Sequence, residues 1–114
     1  MAAKVRKARV NAVRTRRLSR REWAIQARCA SWGVPYSNVS RAGVWRASAW
    51  LCGICGLPVD RALRFPHVMS KSLDHIVPLS VPGSPGHVTS NCQLAHLSCN
   101  SRKGGVNRLK DSDY

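Results

Sequence analysis

The sequence predicts a small α+β domain that depends on a bound metal ion more than on a large hydrophobic core. The chain has 114 residues, its helical signals lie before residue 50, and short apolar segments rich in Gly, Pro, Cys and His follow. A chain of this length buries a modest core and usually needs a crosslink. We therefore expect a basic flexible arm over 1–18, a helical lead-in over 19–49, a metal-held unit of short strands and a last helix over 50–105 and a tail over 106–114.

The arm is defined by its charge. Residues 1–21 contain nine lysines and arginines and no acidic residue. Such a segment cannot bury itself and is expected to be flexible until it meets a polyanion. The two interpretations are an arm that follows a nucleic-acid backbone and a solvated tail, and the charge of the whole chain favours the arm.

The whole chain is strongly basic, with 19 Lys and Arg against 5 Asp and Glu and a formal net charge of +14. Nucleic acid is the polyanion that such a charge fits best, because binding releases its counterions. A basic protein of ribosome type would fit the charge equally well. No apolar stretch is long enough to span a membrane or resembles a signal peptide, so a reducing cytoplasm is the expected location.

Two helices are expected in the lead-in. Ser19 and Glu22 fit a capping box, with Leu18 and Trp23 as a hydrophobic staple, so the first helix should run from about Arg20 to Ser31. A second helix should follow from about Arg41 to Ala47, capped by Ser40. Large apolar side chains of this region are expected to pack in the core: Trp23, Ile25, Trp32, Val44, Trp45 and Trp50.

After residue 50 the sequence favours short strands and loops, with a last helix from about Leu97 to Lys103 that Gly104 and Gly105 end. His87 lies in the loop between these strands and is a candidate for DNA contact. Cys29 is expected on the first helix as a small buried residue.

Four residues have the spacing of a zinc site. Cys52 and Cys55 are separated by two residues, and His96 and Cys99 repeat that spacing about forty residues later. Two such pairs form a Cys3His set that suits structural zinc, and five cysteines cannot all pair as disulfides. Cys92 would share a strand face with His96 and is an alternative ligand, although the spacing favours His96.

The segment between the two pairs contains side chains suited to phosphodiester hydrolysis. That reaction needs a base for water and a divalent cation on the phosphate. His75 has the side chain whose ordinary pKa suits a base near neutral pH. Asp74 and Asn100 offer oxygen ligands for Mg²⁺ or Mn²⁺.

These residues resemble the HNH endonuclease motif. The matching elements are Asp74-His75-Ile76-Val77-Pro78, Asn91-x-Gln93-Leu94 and Cys99-Asn100-x-x-Lys103, preceded by Cys52-x-x-Cys55 as in the zinc-binding phage and bacterial branch. The resemblance covers roughly residues 50–105. It implies a ββα-metal (His-Me finger) fold and a DNA endonuclease activity.

The resemblance also implies a role for each residue. His75 would be the general base, Asp74 and Asn100 would hold the catalytic cation, and Asn91 would fix the intervening loop. The third position is often His, so Asn100 makes this a His-Asn-Asn variant, and His96 stands where the zinc branch usually has Cys. Small proteins of this kind occur in phage and mobile elements, some near packaging genes, which makes phage packaging proteins candidate partners.

Basic residues near these motifs are the candidates for DNA phosphate contacts: Arg14, Arg16, Arg17, Arg20, Arg102 and Lys103. Two other classes compete with the nuclease. A zinc-ribbon DNA-binding module would explain the charge and the zinc but leave Asp74, His75 and Asn91 without a function, and a ribosome-type protein would need neither base nor cation.

Overall fold

The computed structural model describes residues 18–104. This part of the chain forms helix α1 (Arg20–Trp32), helix α2 (Arg41–Ala47), strand β1 (Lys71–His75), a short 3-10 turn (Thr89–Asn91), strand β2 (Cys92–His96) and helix α3 (Leu97–Lys103). The two strands form an antiparallel sheet. The predicted α+β class is confirmed, and among the described residues no helix has the length and apolar character needed to cross a bilayer.

Helix α1 begins at the predicted cap and ends one residue after the predicted end. The Ser19 hydroxyl accepts a hydrogen bond from the Glu22 amide at 3.1 Å, and Gly33 ends the helix in the left-handed region at φ 69°. The Glu22 carboxylate, which the capping box was expected to use, instead accepts a hydrogen bond from the Tyr36 hydroxyl at 2.7 Å. The predicted capping box therefore uses its serine, while its glutamate is directed into the domain.

Helix α2 has the predicted bounds and cap, since the Ser40 hydroxyl accepts a hydrogen bond from the Gly43 amide at 3.0 Å. The prediction that every large apolar side chain of the lead-in packs in the core was wrong for two tryptophans. Trp23 is 60% exposed and Trp32 is 40% exposed. The buried residues of helix α1 are Glu22, Ile25 and Cys29, which form one narrow face at three- and four-residue spacing, and both tryptophans lie outside that face.

The core consists of two small clusters. The smaller one joins α1 to the loop after β1 and contains Ile25, Cys29 and Leu79. The larger one lies between α2 and the sheet and contains Val39, Val44, Trp45, Cys52, Val59, Leu73, Cys92, Leu94, Ala95 and Cys99. Because several members of this cluster are cysteines, the apolar burial is limited, in line with a domain that needs a metal.

The lead-in docks on the loop that connects the strands. Tyr36 forms a short parallel bridge with His87, and the Ser37 amide donates to the His87 carbonyl at 2.8 Å. Gly86 lies at φ 85°, and a Cβ atom there would collide with the backbone of Pro35. Glycine at this position therefore permits the close approach that fixes α1 against the ββα unit.

Candidate active site and metal clasp

Strands β1 and β2 and helix α3 bring the two halves of the Cys/His pattern together. Leu73 pairs with Leu94, Asp74 with Gln93 and His75 with Cys92. Since successive side chains alternate between the two faces of a strand, Asp74 and Gln93 share one face, while His75 and Cys92 share the other. The side chains of Asp74 and His75, which are neighbours in the sequence, therefore point to opposite faces of the sheet.

The predicted zinc ligands form one group, which we call the metal clasp: Cys52, Cys55, His96 and Cys99. Their ligand atoms all lie within 4.8 Å of one another. Nδ1 of His96 is 3.4 Å from the Cys55 Sγ and 3.8 Å from the Cys99 Sγ. Three sulfurs and one imidazole nitrogen at this separation suit a tetrahedral zinc ion, so the donor set fits the metal that the spacing predicted.

The surroundings of the clasp favour metal binding. Nε2 of His96 lies 3.0 Å from the Pro58 carbonyl oxygen, which can only accept, so the ring proton is expected on Nε2 and the lone pair on Nδ1 faces the sulfurs. Burial raises the pKa of the Cys52 thiol, but hydrogen bonds from the backbone amides of Cys55, His96 and Ile54 outweigh this and lower it to about 6. The thiolate form that binds zinc is thereby favoured.

A glycine lets the clasp approach the sheet. The Gly53 amide donates to the Leu94 carbonyl at 2.8 Å, which ties the Cys52–Cys55 turn to β2. A Cβ atom at Gly53 would collide with the side chain of Gln93. The alternative zinc ligand Cys92 lies outside the clasp, because its thiol groups with His75 and His87.

The two predicted ligands of the catalytic cation lie on the face of the sheet that α3 covers. The Asn100 amide nitrogen donates to the Leu73 carbonyl at 3.0 Å and to the Ser72 hydroxyl at 3.2 Å. One carboxylate oxygen of Asp74 accepts from Gln93 at 2.9 Å and from the Lys103 ammonium at 2.7 Å. These four hydrogen bonds use the amide nitrogen of Asn100 and one carboxylate oxygen of Asp74. They do not involve Oδ1 of Asn100 or the second carboxylate oxygen of Asp74.

His75, the predicted base, lies at the end of β1 on the opposite face and is 9% exposed. Its Nε2 is 2.8 Å from Nδ1 of His87. Burial, together with the nearby His87, Arg28, Arg41 and Lys103, lowers the pKa of His75 to about 3. The imidazole is therefore neutral at pH 7, and the structure does not bring it into the hydrogen-bonded group formed by Asp74 and Lys103.

Asn91 bridges the loop that follows β1. Its side-chain oxygen accepts from the Val77 amide at 2.9 Å, and its side-chain nitrogen donates to the carbonyls of Val77 at 3.0 Å and Gly86 at 2.9 Å. Its backbone carbonyl accepts from the Ile76 amide at 2.8 Å. Three of these four hydrogen bonds hold the backbone directly after His75, and the fourth ties it to Gly86.

The predicted phosphate-contacting residues fall into three groups. Arg14, Arg16 and Arg17 lie outside the described residues, as do most of the arm and the tail over 106–114. Arg20 is exposed at the start of α1. Arg102 donates to the Cys99 sulfur at 3.5 Å, and the Lys103 ammonium donates to the carbonyls of His75 and Ile76 as well as to Asp74.

Two features of the site were missed from the sequence. The first is an open cleft of about 370 Å³ lined by Arg21, Arg41, Trp45, Arg64, Phe65 and Lys71. Its cations come from four separate segments, so no local charge run could have predicted it. The second is His87, which was a candidate for DNA contact; that prediction was wrong, because His87 is fully buried against His75 and Tyr36.

The clasp joins the Cys52–Cys55 turn to the junction of β2 and helix α3. A two-stranded antiparallel sheet and a following helix held in this way form a zinc-clasped ββα domain. Residues 52–105 match the model of the HNH endonuclease family, so this part of the chain is an HNH domain. No curated protein and no solved structure matches the chain. A domain of this kind suggests a nuclease or DNA-binding role.

Proposed function

We propose that this protein is a metal-dependent DNA endonuclease that hydrolyses phosphodiester bonds. The observation that supports the proposal most strongly is the placement of Asp74, His75 and Asn100 within the HNH domain. Asp74 and Asn100 both lie where β1 packs against α3, since Asn100 donates to the Leu73 carbonyl and Asp74 accepts from Lys103, and His75 ends the same strand. A phosphodiester lying across the end of β1 would have the oxygen ligands on one side and the imidazole on the other.

Asp74 and Asn100 are suited to hold the catalytic cation. Each has one oxygen outside the hydrogen bonds described above, and both oxygens are hard ligands of the kind that Mg²⁺ or Mn²⁺ prefers. When bound, the ion would polarise the phosphate and stabilise the charge that develops in the transition state. Lys103 now balances the Asp74 carboxylate and adds a positive charge beside the phosphate.

His75 is proposed to remove the proton from the attacking water. A general base must be unprotonated, and the lowered pKa of His75 meets that condition at pH 7, although a pKa so far below neutrality also makes the ring a weak proton acceptor. Asn91 keeps this base in place, because its hydrogen bonds fix the backbone of Ile76 and Val77. The water oxygen then attacks phosphorus and the bond to the leaving sugar oxygen breaks. In this proposal His75, Asn91 and Asn100 form the His-Asn-Asn variant of the HNH motif.

The DNA backbone is proposed to follow the basic cleft and the arm. The cleft offers four cations and the exposed ring of Phe65, a combination suited to phosphates and to a sugar or base edge. Arg14, Arg16 and Arg17 of the arm, together with Arg20, would extend this path. Structural zinc in the clasp, a bacterial cytoplasm and an association with phage or mobile DNA, including packaging proteins as partners, belong to the same proposal.

A second function is a zinc-clasped DNA-binding module without catalysis. The observations that favour it are the burial of His75 and the ion pair between Lys103 and Asp74, which occupies the proposed ion ligand. This module would need the clasp and the basic cleft but not His75.

The two functions differ in an assay with supercoiled plasmid under Mg²⁺ or Mn²⁺. We expect nicking by the wild type and a loss of about 10²–10⁴-fold in His75→Ala at unchanged zinc content, the usual contribution of a general base. His67→Ala is the matched control, since His67 is an exposed histidine in the turn before β1. Tight plasmid binding without nicking by the wild type would support the binding module, and equal nicking by His75→Ala would exclude His75 as the base.

A further inference from the structure

A buried chain of polar side chains connects the lead-in helix to His75. The Tyr36 hydroxyl donates to Oε1 of Glu22 at 2.7 Å, and the same oxygen lies 3.2 Å from Nε2 of His87. Nδ1 of His87 then lies 2.8 Å from Nε2 of His75. Glu22 is 7% exposed and His87 is fully buried, so solvent does not compete for these contacts.

Two members of this chain lie outside the HNH match. Glu22 belongs to α1, Tyr36 follows it, and the matched segment begins at residue 52. The ring of Tyr36 stacks on that of His87 with centroids 5.4 Å apart and planes 12° apart, which fixes the plane of the imidazole. The lead-in therefore contacts the environment of the proposed base directly.

From these contacts we propose that Glu22 and His87 are positioning residues that set the tautomer of His75, an inference that rests on the proposed nuclease function. A carboxylate can only accept, so the proton of His87 lies on Nε2, facing Glu22. The Glu22 oxygen lies 3.2 Å from Nε2 but off the N–H axis, so the contact is a bent one between the N–H dipole and an acceptor oxygen. Nδ1 of His87 is then an acceptor, and it requires the proton of His75 on Nε2. The nitrogen left with a lone pair on His75 is Nδ1, which is thus the basic atom.

A metal ion between these rings is the competing interpretation, because the ligand atoms of His75, His87 and Cys92 lie within 4.8 Å of one another. Two nitrogens bound to one tetrahedral zinc at its usual bond length are about 3.3 Å apart. The observed 2.8 Å is a hydrogen-bond distance and leaves no room for an ion on the line between the nitrogens. The geometry favours a direct hydrogen bond between the two rings.

The tautomers can be measured directly on the zinc-loaded full chain with ¹⁵N-labelled histidine, using the chemical shifts of the ring nitrogens. We expect both His75 and His87 to carry the proton on Nε2 at pH 7. A proton on Nδ1 of His75 would overturn the proposal. A shift of these nitrogens when Zn²⁺ is added beyond one equivalent would identify the site as a metal site and overturn it as well.

Kinetics of plasmid nicking test the role of Glu22. Glu22→Leu keeps a similar volume but has no acceptor, and we expect kcat to fall about 10–100-fold, the usual effect of losing an outer partner of a functional histidine, with KM for DNA unchanged. Glu22→Gln keeps an acceptor oxygen and should restore most of the rate. A wild-type kcat in Glu22→Leu, or equal losses in both variants at full zinc content, would refute the positioning role.

The two proposals fail in different ways. If the wild type does not nick DNA, the nuclease function fails, while the nitrogen shifts still decide the tautomers. If the wild type nicks but Glu22→Leu and Glu22→Gln do not differ, the positioning role alone fails.

Discussion

The metal clasp is expected to supply most of the stability of the HNH domain, and a pair of cysteine variants can test this. Cys99 and Cys92 are both buried members of the larger core cluster, 4% and 8% exposed, but only Cys99 belongs to the clasp. Replacing either by serine places a smaller hydroxyl in a buried site, at a cost of about 1–3 kcal/mol. The packing effects are therefore matched, and the variants differ in the loss of a zinc ligand.

The size of the difference follows from the small core. A domain of this length is stable by roughly 5–10 kcal/mol, whereas structural zinc contributes about 10–16 kcal/mol of apparent binding free energy in small zinc domains. Cys99→Ser should thus lose zinc and the cooperative thermal transition, while Cys92→Ser should keep one zinc per chain and melt within about 15 °C of the wild type. Zinc content and circular dichroism melts, with and without a chelator, give the answer. Retention of zinc and of a cooperative melt by Cys99→Ser would refute the reasoning.

Three further predictions concern the loop, the cleft and the buried histidine. Gly86→Ala should destabilise the domain by at least about 3 kcal/mol in urea unfolding, because the new Cβ would collide with the Pro35 backbone. Gly83→Ala, at a similar φ but in open space, should cost about 1–2 kcal/mol, and equal losses would contradict this. Arg64→Ala should reduce the slope of log affinity for DNA against log salt by about 1, and Arg46→Ala, outside the cleft, should leave it unchanged. The folded pKa of His75 lies below its unfolded value of about 6.5, so the neutral ring stabilises the fold above that pH, and this contribution to the free energy of unfolding is lost on acidification. Between pH 6.5 and 5 in zinc-saturated buffer, the wild type should lose about 2 kcal/mol more stability than His75→Gln. Parallel losses in the two proteins would refute this.

Local signals predicted much of the fold. The caps at Ser19 and Ser40, the bounds of α2 and α3 and the members of the clasp all follow from short spacings, which depend on backbone geometry within one turn. These signals persist in the folded chain because they involve neighbours in sequence. The clasp adds a long-range contact that its spacing also predicted, between the Cys52–Cys55 turn and the segment His96–Cys99.

The orientation of the active-site side chains was harder to predict. Asp74 and His75 are adjacent in sequence, which suggests a shared site, but on a strand adjacent side chains point to opposite faces. The motif alone therefore predicts which residues belong to the region and not which atoms meet. Lys103 illustrates the same point, since its ion pair with Asp74 depends on how α3 packs on β1.

Contacts between distant segments had no sequence signal. Glu22 was assigned to a capping box because its neighbours complete that pattern, yet its carboxylate contacts His87 and Tyr36. His87 was placed at the surface because loops usually lie there. Both outcomes result from the docking of the lead-in on the loop, which requires Gly86 and is visible only in three dimensions.

The most direct test of the proposed nuclease is the initial rate of plasmid nicking as a function of Mn²⁺ concentration, measured on zinc-loaded protein. If Asp74 holds the catalytic cation, Asp74→Asn should raise the concentration for half-maximal rate by at least about tenfold. Asp60→Asn, at an exposed aspartate in the long segment between the Cys52–Cys55 turn and β1, should follow the wild type. The same ion dependence in all three proteins, or cleavage without added divalent ion, would contradict the proposal.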